Sequence, residues 1–149
     1  MLKIICLASL ALIPILSHAD TISCGGKFVT VSDALSAKEP FFSVTIEGGT
    51  TSTAHLFEIQ NDFLHLRCEV TAAGNHVVLI NNFCGGSGCA GFGNFGIIEV
   101  NTGKVLLEPN QRYKGNMEQA EEIIGTELKP FTCELKSIEI CLHSKIELG

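Results

Sequence analysis

Tryptophan is absent from this 149-residue chain and tyrosine occurs once. A platform that stacks sugars or bases would therefore have to rest on phenylalanine. Basic residues are scarce too, 10 against 16 acidic ones, for a formal charge of -6. That balance argues against neutralising nucleic-acid phosphates and against attraction to an anionic bilayer. No apolar stretch beyond residue 16 suits a membrane helix. The zinc-ligand spacings C-x-x-C and H-x-x-x-H do not occur, so neither a metal nor another cofactor is expected. There is no internal repeat, and no linker divides the chain. Hydrophobic residues nevertheless make up 46% of it, which excludes a disordered acidic tail.

The first 19 residues have the layout of a secretory signal peptide. Lys3 supplies the positive start, and Ile4 to Leu16 form an apolar run too short to span a bilayer. Ser17-His18-Ala19 offers the small residues that a signal peptidase requires, which places cleavage before Asp20. A retained anchor is disfavoured by Pro14 and by the early end of the run. A lipid-attachment site at Cys24 is disfavoured because Thr21-Ile22-Ser23 lacks its Leu and small residues. Residues 20–149 then form one β-rich domain in the periplasm, with nine basic residues against 16 acidic ones, a net -7.

Six cysteines remain in that domain: Cys24, Cys68, Cys84, Cys89, Cys133 and Cys141. An even number in an exported chain points to disulfides, although spacing alone does not select among the pairings. Two pairs are locally plausible, Cys84 with Cys89 and Cys133 with Cys141, which would leave Cys24 with Cys68.

The remaining pattern is one of short strands. Lys27 to Val31, Phe41 to Glu47, His55 to Gln60 and Phe63 to Val70 follow one another closely. In the last of these, Leu64, Leu66, Cys68 and Val70 fall on one face, while Phe63, His65, Arg67 and Glu69 fall on the other, the period of a half-buried strand. Val77 to Ile80 is continuously apolar and reads as a more central strand. Ile97 to Val100 and Lys104 to Leu107 flank Asn101-Thr102-Gly103, a hairpin signal. Thr132 to Ile140 alternates again. One helix is expected at Asn116 to Ile124, with Asn116 as cap and Gly125 as stop. Breakers fall at Gly48-Gly49, Gly74-Asn75 and Pro109-Asn110. These elements predict an all-β fold, an antiparallel sandwich or small barrel with one short helix, stabilised by disulfides. His55 and His65 read as surface or edge histidines, and Glu118, Glu121 and Glu122 as a solvated helix face.

Asn81 to Gly96 (NNFCGGSGCAGFGNFG) stands apart. Six of the twelve residues from Gly85 to Gly96 are glycine, and each glycine adds to the entropy lost on folding. If Cys84 and Cys89 pair, Gly85, Gly86, Ser87 and Gly88 form a tight ring with a single hydroxyl, stiffened before any partner arrives. One of Phe92 and Phe95, which flank the ring, is expected in the core and the other as an exposed anchor. A catalytic Ser87 lacks support: no Asp precedes it, Cys89 breaks the G-x-S-x-G pattern, and nothing positions His55, His65, His76 or His143 as a base. Two overlapping G-x-G-x-x-G matches have no βαβ unit around them. A stapled connection with no partner and a rigid recognition loop remain, and the second is favoured.

With FCGGSGC followed by the GIIEVNTGKVLL hairpin, in an exported, acidic β-chain of this size, the sequence resembles the periplasmic immunity proteins of type VI secretion amidase effectors. Those effectors are NlpC/P60-like cysteine peptidases that cut peptidoglycan peptides. The resemblance covers Asn81 to Leu107. It implies no enzymatic activity of the chain's own, a wall-degrading toxin enzyme as the protein partner, and a loop with serine at its tip inserted against the enzyme's catalytic Cys-His pair. That loop would be Cys84 to Cys89, with Gly85, Gly86, Ser87, Gly88 and Phe92 at the interface. The alternatives are a periplasmic lysozyme inhibitor, which the acidic charge suits but Cys89 after Ser87-Gly88 does not, and a small exported serine hydrolase.

Overall fold

The computed structural model describes residues 19–36, 39–58, 63–83, 93–109, 115–133 and 139–143. Residues 1–18 of the expected leader and residues 84–92 of the Gly-rich segment lie outside them.

Four strands, β1 (Ala19–Cys24), β2 (Lys27–Ser36), β3 (Glu39–Gly48) and β4 (Thr51–Glu58), form an antiparallel meander in that order. The pattern that builds it is strict alternation. Val29 and Val31 on β2 and Phe42, Val44 and Ile46 on β3 are buried, while Thr30, Ser32, Ser43 and Thr45 lie between them on the opposite face. The turn between β1 and β2 is Gly25-Gly26, with φ +58° and +78°. Tight hairpins need positive φ at both central positions, which glycine reaches without steric penalty. A side chain at Gly25 would also come within 2.9 Å of His76.

The second sheet has the order β8-β7-β6-β5-β9, built from β5 (Phe63–Val70), β6 (His76–Phe83), β7 (Phe95–Glu99), β8 (Val105–Leu107) and β9 (Glu139–His143). All its neighbours are antiparallel. The apolar run of β6 does occupy an inner position, with both faces covered: Val78 and Ile80 point to one core and Val77 and Leu79 to another. The hairpin between β7 and β8 turns at Gly103, φ +69°, packed against Thr53 of β4.

Three layers result. The inner faces of the two sheets enclose Ile22, Val31, Phe42, Val44, Leu66, Val78, Ile80 and Ile98 among others. A disulfide, Cys24–Cys68, crosses this layer from β1 to β5. Closing so long a segment restrains the unfolded chain by about 4 kcal/mol on the chain-entropy account. The outer face of the second sheet carries Val77, Leu79, Phe95 and Ile97. They are covered by the helix α1 (Met117–Ile124) through Ala120 and Ile124, with Leu128 and Phe131 beyond. Gly125 ends α1 in the left-handed region, φ +82°, its N–H donating to Glu121 O. The fold is thus the expected all-β sandwich with one short helix, and the Cys24–Cys68 and Cys133–Cys141 pairs are present. Disulfides of this kind belong to an oxidising, exported setting.

Two local expectations change. Asn116 precedes α1 but makes no side-chain cap; its carboxamide is engaged by the backbone of β7 instead. Of the expected Thr132 to Ile140 strand, Thr132 and Cys133 are not in a strand, Cys133 having φ +57°, Glu139 and Ile140 belong to β9, and residues 134–138 lie outside the described residues.

Candidate functional site

The Gly-rich segment leaves the second sheet at the end of β6 and returns at the start of β7. Residues 84–92, and with them Cys84, Gly85, Gly86, Ser87, Gly88, Cys89 and Phe92, lie outside the described residues. What is described is their mount. The Asn82 N–H donates to Asn94 O at 2.9 Å, and the Asn94 N–H donates to Asn81 Oδ1 at 2.9 Å. Asn94 Nδ2 donates to Pro109 O at 2.9 Å. One residue on, the Phe95 N–H donates to Asn116 Oδ1 at 2.7 Å, and Asn116 Nδ2 donates to Phe95 O at 2.8 Å. Asn116 therefore acts as a piece of extra strand for β7. Asn94 and Asn116 are both buried, where an unpaired amide would cost about 1–3 kcal/mol. The side chains of Asn81, Asn94 and Asn116, with the Asn82 backbone N–H, thus fix both ends of the segment to the sheet.

The two described glycines of the segment serve this mount. Gly93 has φ +69°, and a Cβ there would lie 2.6 Å from the Phe95 ring. A Cβ at Gly96 would lie 2.9 Å from Pro109. Phe95 is buried under α1, as is expected of one of the Phe92 and Phe95 pair, and Phe92 lies outside the described residues.

The strand register extends the mount sideways. Phe95 lies opposite Asn81, Asn81 opposite His65, and His65 opposite Cys141, so all four share one row on the outer face. His65 was expected at the surface or an edge. It is half-buried on β5, between β6 and β9, because residues 129–133 fold over that part of the sheet. Its ring packs 5.4 Å from that of Phe131, and its Nε2 is 3.7 Å from Cys133 Sγ. The Cys133–Cys141 disulfide closes the row.

The next row holds Arg67 opposite Glu139, both buried. Arg67 Nη1 lies 3.2 Å from Glu139 Oε1, and Arg67 Nη2 lies 2.6 Å from Glu69 Oε1. The guanidinium also donates to Lys129 O at 2.9 Å and Pro130 O at 3.1 Å, and sits 4.4 Å above the Phe131 ring. Glu139 Oε2 accepts from the Thr132 N–H at 3.0 Å and the Cys133 N–H at 2.8 Å. Burial alone would raise the Glu139 carboxyl; the Cys133 N–H, Arg67 and the Thr132 N–H together overcome it and hold the group below the ordinary carboxylate range. This ion cluster fastens residues 129–133 over His65. The strand alternation placed Arg67 on the non-core face, but the segment that buries it arrives from more than 60 positions away, beyond any local pattern.

Elsewhere, His55 on the edge strand β4 stacks on Phe57, with centroids 6.2 Å apart, and its buried Nε2 has no hydrogen-bond partner among the described residues. Glu118 and Glu122 are solvated as expected, whereas Glu121 accepts the Leu128 N–H at 3.0 Å. No helix among the described residues is long and apolar enough to cross a membrane. Comparison with protein families, with curated proteins and with solved structures finds no match for this chain.

Proposed function

We propose that the chain is a periplasmic inhibitor of the immunity-protein kind. It presents the loop from Cys84 to Cys89 to the substrate cleft of a peptidoglycan-degrading cysteine amidase. The observation that carries this reading is the asparagine mount. Both ends of a Gly-rich, Cys-flanked segment are fixed by buried hydrogen bonds to a three-layer scaffold. Fixing the two ends of the segment removes part of the freedom that would otherwise be lost on entering a cleft, which favours binding. Ser87, with glycine on either side, brings one hydroxyl to the enzyme's Cys-His pair. The resemblance of residues 81–107 supplies the class of target.

The acid excess supports a second reading, a lysozyme inhibitor, because lysozymes are basic. One experiment separates the two. The purified protein is titrated into an NlpC/P60-type amidase cutting a muropeptide and into lysozyme cutting cell walls. Loss of amidase activity near one equivalent, with lysozyme unaffected, supports the proposal. Loss of lysozyme activity alone selects the second reading, and loss of neither refutes both.

A further inference from the structure

The Cys133–Cys141 bridge, with His65 against it, brings together the donors of a three-ligand metal site. The donor atoms of His65, Cys133 and Cys141 all lie within 4.8 Å of one another. They come together without any sequence-local metal spacing: the two cysteines are 8 positions apart, and His65 reaches them across the β5–β9 pair. We infer that two-electron reduction of Cys133–Cys141 opens a Cys2His site for a soft divalent cation, zinc above all, with a fourth position left to solvent.

Geometry supports this. Tetrahedral zinc with Zn–S of about 2.3 Å and Zn–N of about 2.0–2.1 Å needs ligand separations of roughly 3.6 Å for N to S and 3.8 Å for S to S. His65 Nε2 already stands 3.7 Å from Cys133 Sγ. Sulfurs released from a disulfide, a bond of about 2.0 Å in general, need only separate by less than about 2 Å to reach the required spacing. Nor does the frame depend on the bridge. The Cys133 N–H stays anchored on Glu139 Oε2, which Arg67 holds in turn, while Cys141 and His65 are paired residues of adjacent strands. Breaking the S–S bond therefore leaves the three donors facing one another.

The bridge is also the accessible one. Cys133 is exposed, whereas Cys24 of the other described disulfide is 1% exposed within the core. A thiolate reaches the first far more readily. The balance is simple. A dithiol reductant transfers two electrons and is itself oxidised to a disulfide; the S–S bond breaks and each sulfur gains a proton. Zinc binding then releases both protons as the thiolates coordinate. In the reverse direction a disulfide oxidant accepts the two electrons and two protons to become a dithiol, the Cys133–Cys141 bond re-forms, and the zinc ion leaves. The soft thiolate pair with imidazole favours zinc over magnesium or calcium.

Cobalt(II) serves as the spectroscopic probe, in a Cys84→Ser/Cys89→Ser protein so that the loop sulfurs cannot contribute. Mild reduction is followed by alkylation mapping on a parallel sample to show which bridge opens. The expected result is opening of Cys133–Cys141 first, then uptake of one cobalt ion with thiolate charge-transfer bands and tetrahedral ligand-field bands. The oxidised protein takes up none. His65→Ala weakens binding at least about tenfold, since a direct ligand matters no less than the outer-shell partners, which are worth about 10–100-fold. The spectrum of the His65-containing protein reads the ligand set by itself, whatever the folding of the variant. Opening of Cys24–Cys68 first, an octahedral spectrum, equal uptake by the oxidised form, or unchanged affinity in the His65 variant would each overturn the inference.

Discussion

Replacing Arg67 with methionine tests the reading of the second sheet's outer face. The side chains of Arg67 and Glu139 are 7% and 4% exposed, so Arg67→Met strands a buried carboxylate. It also removes the contacts to Glu69, Lys129 O, Pro130 O and the Phe131 ring. Breaking a buried pair from one side typically costs about 3–5 kcal/mol. Glu139 keeps its Thr132 and Cys133 donors, so the lower end applies, about 3 kcal/mol. At roughly 3 °C per kcal/mol for a chain of this size, Tm at pH 7 falls by about 10 °C. The pH dependence has a definite sign. The folded-state pKa of Glu139 is depressed, so its stabilisation is present above the unfolded carboxyl value and is lost as pH falls through the folded value. The gap between wild type and variant is therefore widest near neutrality and narrows below about pH 4. A further Glu139→Gln change recovers part of the loss, because the two residues are coupled. Thermal melts of the three proteins from pH 7 to about pH 3 decide it. An unchanged Tm for Arg67→Met, or a gap that ignores pH, would refute the reasoning.

Other substitutions probe the mount and the turns. Asn116→Ala orphans the backbone N–H and C=O of Phe95 and should cost about 2–4 kcal/mol by denaturant melts, well beyond the ~1 kcal/mol of a lost helix cap; a loss no larger than that cap value would show that the carboxamide bridge contributes little. Gly103→Ala places a side chain at φ +69°, within 2.5 Å of Thr53, and should lower stability by more than the about 1–2 kcal/mol of the left-handed conformation alone. In the inhibition assay Ser87→Ala should weaken binding modestly, whereas Ser87→Trp, or joint loss of Cys84 and Cys89, should weaken it strongly. Full affinity in all of these loop variants would remove the loop from the interface.

Much of the scaffold was legible because a two-residue period reports directly on a strand with one buried face. Leu64 and Leu66 are buried as their alternation with His65 and Arg67 requires, and the unbroken Val77 to Ile80 run marks a strand covered on both sides. Gly103 marked its hairpin because so few residues tolerate positive φ. Local patterns fail where distant chain intervenes. The periodicity shows only that Arg67 and His65 avoid the inner core; that residues 129–133 fold over them depends on tertiary contacts. Asn116 carries the signature of a cap, yet the neighbouring β7 backbone competes for the same carboxamide and wins. Alternation runs through Thr132 to Ile140 in the sequence, but Cys133 has a positive φ that no strand residue adopts. Within the Gly-rich segment, composition alone does not distinguish Gly93 and Gly96, which have packing reasons of their own at its base.

Occupancy of an enzyme's cleft by the 84–89 loop is most directly read by whether the loop shields the catalytic sulfur. An NlpC/P60-type amidase is treated with a small thiol alkylator alone, with this protein, and with its Ser87→Trp form, and modification of the catalytic cysteine is followed by mass spectrometry. The account predicts that the native protein slows modification in proportion to the amidase bound and that the tryptophan form does not. A catalytic cysteine alkylated at the same rate in all three mixtures would contradict it.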